Sequence, residues 1–433
     1  MKKILKLMSA ACAFNIVLSV PAHSQYAESS LKSCLRFEDV LKFSAQRDPD
    51  VVIARAQERA ADADITDAKS LFRPQISAFG RSGFGDTGVI DSSISNQVGI
   101  RASQRVIDFG DSKYAKQAAN FGYEASLEDT RQAQYQAALQ TGLFYLEWIE
   151  ADQQIEITKR RRDYFARQLE SIDRLLAKGA ATRTERASVA SQLANADAFV
   201  LEIQFRKEQA LTQVQIDTGS RSQLCTGQST EALLATQFKT LQDPETASQF
   251  ALSHNPLIKS LEKQADQLEA VRKREKRSRL PIIDVVATGS YSSIGGFDQF
   301  EFRDRIGVDV SVPLYSGNAL GARNQRAAAR QSIARGRVLD AQRQLRKDVS
   351  ITYRRILSLQ SQYERRLDVE EQTRLQFEAA EIEQDFGTKT LRDLIEIRLE
   401  FEQASLETIR TKYDLMRQEL QLLTLTSKIS VFT

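Results

Sequence analysis

Ile306-Gly307-Val308-Asp309-Val310-Ser311 and Val98-Gly99-Ile100-Arg101-Ala102-Ser103 repeat one pattern 208 positions apart in the same chain. Other landmarks recur at nearly the same offset. Lys178-Gly179 returns as Phe386-Gly387 at 208, while Asp48-Pro49 returns as Asn255-Pro256 and Arg73-Pro74 as Leu280-Pro281 at 207. A constant offset over so many landmarks marks a tandem duplication. The one-residue slip falls between Pro74 and Val98, where a variable loop belongs.

Around that pattern the apolar period is two. Ile306, Val308, Val310 and Val312 alternate with Gly307, Asp309 and Ser311, and Ile283, Val285, Ala287 and Tyr291 alternate with Asp284, Thr288 and Ser290. Alternation of this kind gives a strand with one apolar face. Each copy therefore holds a strand pair, about 75–84 with 96–107 and about 282–292 with 302–314. Helices 50–72 and 257–279 precede the pairs and stop before Pro74 and Pro281, because a residue ahead of proline is pushed out of the helical region.

After each pair comes a break, Asp108-Phe109-Gly110 or Ser316-Gly317-Asn318, and then a long stretch without proline. Helices 111–177 and 319–385 each run about 67 residues, or about 100 Å at 1.5 Å per residue. They turn at Lys178-Gly179 and Phe386-Gly387, where glycine tolerates the positive φ of a helix end, and return as 182–218 and 390–427. Val338, Gln342, Leu345, Val349, Thr352, Ile356, Leu359 and Tyr363 step by four and three, as do Ile395, Leu399, Glu402, Leu406, Ile409, Tyr413, Met416, Leu420 and Leu423. A sustained 3.5-residue repeat winds helices into left-handed coiled coils. The chain thus divides into a first repeat 25–220, a linker 221–244, a second repeat 245–427 and a tail 428–433.

Composition agrees with long elements. Of 433 residues only 19 are Gly and 7 Pro, about half the usual share. Lys2, Lys3 and Lys6, then the apolar stretch Leu7 to Val20, then Ala22-His23-Ser24, read as an export signal over 1–24. Its removal takes three of the 60 basic residues and leaves 57 to balance 57 acidic ones. Cys12 lacks the leucine-type residue that opens a lipidation signal. Export also places Cys34 and Cys225 in an oxidising compartment, where they either pair or remain two separate buried thiols.

No apolar run approaches the 18 or so residues of a membrane-crossing helix. The strands are a different matter, since about ten residues cross an outer membrane with tilt. Four strands alone would leave open edges unsatisfied in lipid, so they must close a barrel with other chains. Three copies under cyclic symmetry would give twelve strands, and two or four copies would also close. An enzyme fares badly: His23 leaves with the signal, His254 sits beside the structural Asn255-Pro256, and there is no nucleophile elbow, phosphate loop or metal spacing. A periplasmic coiled-coil scaffold is the stronger rival, but it leaves the strands unexplained.

The doubled order of helix, strand pair and long helical hairpin resembles the TolC family of outer-membrane channel-tunnels. So do Gln104-Arg105-Val106-Ile107-Asp108-Phe109-Gly110, Val312-Pro313-Leu314-Tyr315-Ser316-Gly317 and Phe386-Gly387-Thr388-Lys389-Thr390-Leu391-Arg392-Asp393-Leu394-Ile395. The likeness covers residues 35 to about 427. It implies a mainly α fold with a small β part: a homotrimer whose twelve-strand outer-membrane β-barrel, four strands per protomer, continues into a periplasmic α-helical coiled-coil barrel. It also implies a periplasmic adaptor and an inner-membrane transporter as partners, outer-membrane lipids around the barrel, no cofactor and no nucleic acid. The turn 387–394 is similar to that of type I secretion channels, which favours protein secretion with an ABC transporter over small-molecule efflux with an RND transporter. Arg105 stands where the family usually has proline, and Ile395 where leucine is common.

The resemblance points to particular residues. Lys178, Gly179, Phe386, Gly387, Arg392, Asp393 and Leu394 lie at the helix tips, where an adaptor would dock, although the glycines and Asp393 also serve simply to end and begin helices. Glu381 and Asp385 share a helix face and form either a pore ring or a solvated acidic face. Ile306, Val308, Val310 and Val312 form a lipid-facing strand. Arg272-Lys273-Arg274-Glu275-Lys276-Arg277-Ser278-Arg279 either meets lipid phosphates at the inner leaflet or is a solvated face. Phe84, Tyr291, Phe297 and Phe300 near the strand ends form an interfacial girdle or pack the loops.

Overall fold

A computed structural model describes residues 34–85, 93–226, 229–241, 243–294 and 301–429. The export signal 1–24, Cys12, Phe297, Phe300 and the last four residues lie outside them, as does the Phe84 side chain.

Two sets of elements follow one another. The first is α1 (Phe37–Arg47), α2 (Pro49–Ser70), β1 (Gln75–Gly85), β2 (Ser93–Ile107), α3 (Asp111–Ala177) and α4 (Arg183–Thr218). After α5 (Ser229–Lys239) the second is α6 (Pro244–His254), α7 (Pro256–Arg277), β3 (Ile282–Ile294), β4 (Glu301–Ser311), α8 (Ala319–Asp385) and α9 (Leu391–Leu425). Helices α3 and α8 are both 67 residues long. Proline at the first position of α2, α6 and α7 removes an N–H that no helix start can satisfy. Asp48, Asp243 and Asn255 cap those starts by accepting backbone N–H groups.

The four strands form one antiparallel sheet in the order β1-β2-β3-β4, so the two repeats join through β2 and β3. The main apolar core lies where α1, α3, α4, α5, α6, α8, α9 and the start of α7 meet, with Leu41, Tyr145, Leu146, Ile258, Ile356, Leu420 and Leu423 almost wholly enclosed. The α8 seam holds as its heptads require: Leu345, Val349, Thr352, Ile356 and Leu359 are all buried. A second cluster of Tyr164, Phe165, Ile172, Val189 and Ala196 lies farther along α3 and α4 and takes in Leu391, Ile395 and Leu399 of α9.

Several expectations need correction. Residues 221–244 are more than a linker, because α5 forms there and puts Leu234 and Phe238 into the core, followed by Leu241. Helices α1 and α6 stand ahead of the expected first helix of each repeat. Strand β4 ends at Ser311 rather than 314, which leaves Val312 outside the sheet. Pro313 follows, has no N–H to give a ladder and restricts the residue before it.

Cys34 and Cys225 are joined in a disulfide with their Cα atoms 5.1 Å apart. Beside it Leu35 and Leu224 form a parallel bridge, and the Tyr145 hydroxyl donates to the Cys225 carbonyl at 2.7 Å. The bond ties the start of the first repeat to the segment that leads into the second.

Candidate functional site: sheet faces and helix tips

Pairing register sorts the strand side chains into two faces. One face reads across all four strands as Ile76-Ala102-Ala287-Ile306, Ala78-Ile100-Gly289-Asp304 and Gly80-Val98-Tyr291-Phe302, with Val285-Val308 and Ile283-Val310 nearer the helices. Ile306, Val308 and Val310 are 81%, 62% and 62% exposed, far more than solvated apolar side chains need to be. Tyr291 packs its ring 5.1 Å from Phe302 near the loop end. Asp304 is the acidic side chain this face carries among the described residues.

The other face is polar. From the helix end outward its rows read Arg105-Asp284-Asp309, Gln75-Ser103-Val286-Gly307, Ser77-Arg101-Thr288-Arg305, Phe79-Gly99-Ser290-Arg303 and Arg81-Gln97-Ser292-Glu301. An apolar face against a polar one is the pattern of strands with lipid on one side and water on the other. The outer edges of β1 and β4 have no strand partner among the described residues. In lipid, such edges leave backbone groups unsatisfied.

Charged groups cluster where the sheet meets the helices. Arg105 reaches Asp284 at 3.5 Å and Asp111 at 3.8 Å, and Arg274 reaches Asp111 at 3.1 Å. Half of the basic run on α7 is thus engaged: Arg272 donates to Gln331 at 2.8 Å and Lys273 pairs with Glu269 at 2.8 Å. Lys276, Arg277 and Arg279 are exposed and form no ion pair among the described residues.

At the opposite end the two hairpin turns are built alike. Gly179 and Gly387 both take φ of 74°, in the left-handed region that suits a residue without Cβ. Ala180 N donates to Leu175 O and Gly179 N to Leu176 O; Thr388 N donates to Glu383 O and Gly387 N to Gln384 O. Each turn is thus a Schellman motif that satisfies the last carbonyls of the outgoing helix. Each returning helix opens with a capping box, Thr182 with Glu185 and Thr390 with Asp393. Hydrogen bonds from Thr390 hold the Asp393 carboxyl below the usual carboxylate range.

Of the tip residues expected from sequence, Lys178 and Arg392 are exposed and Phe386 is 81% exposed. Leu394 is different. It is 2% exposed, so it packs the hairpin and offers no surface. Glu381 is exposed, and the Asp385 side chain lies outside the described residues. Glu383 pairs with Lys389 across the turn at 3.0 Å.

Between the tips and the core, ion pairs fasten one hairpin to the other. Arg161 of α3 donates to Glu402 of α9 at 2.5 Å. Arg398 bonds the same carboxylate at 2.9 Å and lies 3.8 Å from the Tyr164 ring. Farther up, Arg417 bonds Glu150 of α3 and, at 2.8 Å, Asp414. Sequence gives the α3–α9 pairs Arg161–Glu402 and Glu150–Arg417 no local signal, whereas Arg398–Glu402, Asp414–Arg417 and the capping boxes, with Thr three residues ahead of an acid, have helical spacing that is open to reading.

The family model of the outer membrane efflux protein matches residues 40–237 and 247–428, most of the chain. The chain belongs to the outer membrane efflux protein family. BepC of Brucella suis biovar 1, an outer membrane efflux protein, is 22% identical over 383 residues, covering 87% of this chain and 82% of that one. The proteases secretion protein PrtF of Dickeya chrysanthemi is 26% identical over 198 residues, or 43% of this chain and 42% of that one. The Campylobacter jejuni CmeC outer membrane channel superposes with TM-score 0.74 at 16% identity, over 90% of this chain and 85% of that one. VceC of Vibrio cholerae gives 0.74 at 14%, over 90% and 95%. As a member of this family the protein resides in the outer membrane, with its helices extending into the periplasm, and acts as a passive channel rather than an enzyme.

Proposed function

We propose that three copies close their sheets into one twelve-stranded barrel and that the helical hairpins continue it as a periplasmic duct. The open edges of β1 and β4 carry this reading, because an apolar-faced sheet with unpaired edges is untenable in lipid until other strands cover them. Cyclic closure lets β1 of one copy pair with β4 of the next. In this reading the duct is the exit of a tripartite machine, with a periplasmic adaptor docked around Lys178, Gly179, Phe386, Gly387, Arg392 and Asp393, and the energy comes from an inner-membrane transporter. The exposed Glu381 then recurs as a threefold ring near the entrance.

For the cargo, the turn 387–394 and the likeness to PrtF favour type I protein secretion with an ABC transporter. The likeness to BepC over nearly the full chain favours the second reading, efflux of small molecules. A photo-crosslinker at position 386 in living cells tests the choice: capture of an adaptor encoded with an ABC transporter supports secretion, and capture of one encoded with an RND transporter supports efflux.

A further inference from the structure

We infer that the membrane-crossing part of the duct selects for anions, and that it does so through Arg101 and Arg305, assisted by Arg81. This goes beyond the proposed closure and rests on it, since the polar face becomes a lumen only when the sheets join.

The register carries the inference. On the polar face, among the described residues, acids stand only in the first and last rows, as Asp284 and Asp309 at the helix end and Glu301 at the loop end. The two rows between Gln75-Ser103-Val286-Gly307 and Arg81-Gln97-Ser292-Glu301 hold Arg101, Arg305 and Arg303 and no acid. Arg101 and Arg305 flank the same Thr288, one strand to either side, and therefore share a single level of the barrel.

Two of these three acids are also spoken for, and the third, Asp309, lies in the helix-end row, two rows from Arg305. Asp284 pairs with Arg105 at 3.5 Å, and Glu301 reaches Arg303 at 3.4 Å. Arg81, Arg101 and Arg305 form no ion pair among the described residues, and all three are exposed. Arg81 and Arg101 instead sit 5.5 and 5.9 Å from the Phe79 ring, whose π face attracts cations without cancelling their charge. Under cyclic symmetry each such arginine becomes a ring. Rings of Arg or Lys admit anions and small carboxylates and repel cations, and low-dielectric walls focus that field. The exposed Glu381 near the helix tips lies at the other end of the duct and leaves this stretch basic.

The test is the reversal potential of the detergent-purified protein in planar bilayers under a potassium chloride gradient. Chloride is expected to permeate in preference to potassium. In Arg101→Gln/Arg305→Gln the chloride-to-potassium ratio is expected to fall by about twofold or more, and in Arg101→Lys/Arg305→Lys to stay near the parent value. Potassium preference in the parent protein, or a ratio unmoved in the glutamine variant, overturns the inference and leaves the conduit standing. Absence of any conductance overturns the conduit and the inference with it.

Discussion

Arg161 and Glu402 are 241 residues apart in the chain and 2.5 Å apart in the fold. The pair bolts α3 to α9, and Glu402 is buried with Arg161 and Arg398 as its two cations. Removing a partner from a buried pair costs about 3 kcal/mol or more, because the remaining charge is left without compensation. Glu402→Leu is therefore expected to lower the thermal midpoint of the detergent-solubilised protein. Arg161→Met/Glu402→Leu is expected to recover part of the loss, which a double-mutant cycle reads directly.

The Cys34–Cys225 bond closes a loop of 191 residues. Long loops gain most from closure, and loss of this one is expected to cost about 2–5 kcal/mol. Cys225→Ser should lower the midpoint of denaturant unfolding, and reducing agent should do the same to the parent protein but not to the variant.

Glu419 lies inside the core with a carboxyl pushed up to about 7, first by burial and then by the nearby Glu231. Its folded form keeps a proton that the unfolded chain releases near the ordinary carboxyl value of 4.5. Stability from this group is therefore full below about 4.5 and is lost as pH rises through about 7, a change of about 3 kcal/mol. Glu419→Gln is expected to flatten that part of the stability profile between pH 5 and 8, as measured by denaturation at several pH values.

At the tips two contributions separate. Thr182→Ala and Thr390→Ala each remove half of a capping box and are expected to cost about 1 kcal/mol in unfolding experiments. Arg392→Glu touches no cap and is expected to leave the unfolding midpoint unchanged while lowering export in cells; full export by this variant would remove Arg392 from the docking surface.

Long elements were legible because nothing interrupts them. No proline or helix-ending glycine falls inside 111–177 or 319–385, so the bounds of α3 and α8 follow from where the breakers stand. The short helices were not. Helix α5 has 11 residues, too few for a period to show, and it is held by Leu234 and Phe238 against a core assembled from distant segments. Val312 continues the alternation of β4 in sequence, but Pro313 ends the ladder one residue earlier than the pattern does. Leu394 sits at a turn whose two sides look alike in one dimension; only the packing of α9 decides that it points inward. The heptads placed Glu402 on a seam without naming its partners, since nothing local to α9 encodes Arg161.

The central claim is that this chain becomes a sealed tube only in the company of its own copies. Native mass spectrometry of the mature protein released from outer-membrane detergent micelles measures that directly. The expected result is a trimer that persists without cross-linking and resists dissociation in an unboiled gel. A monomer that stays in solution once detergent is withdrawn would contradict it.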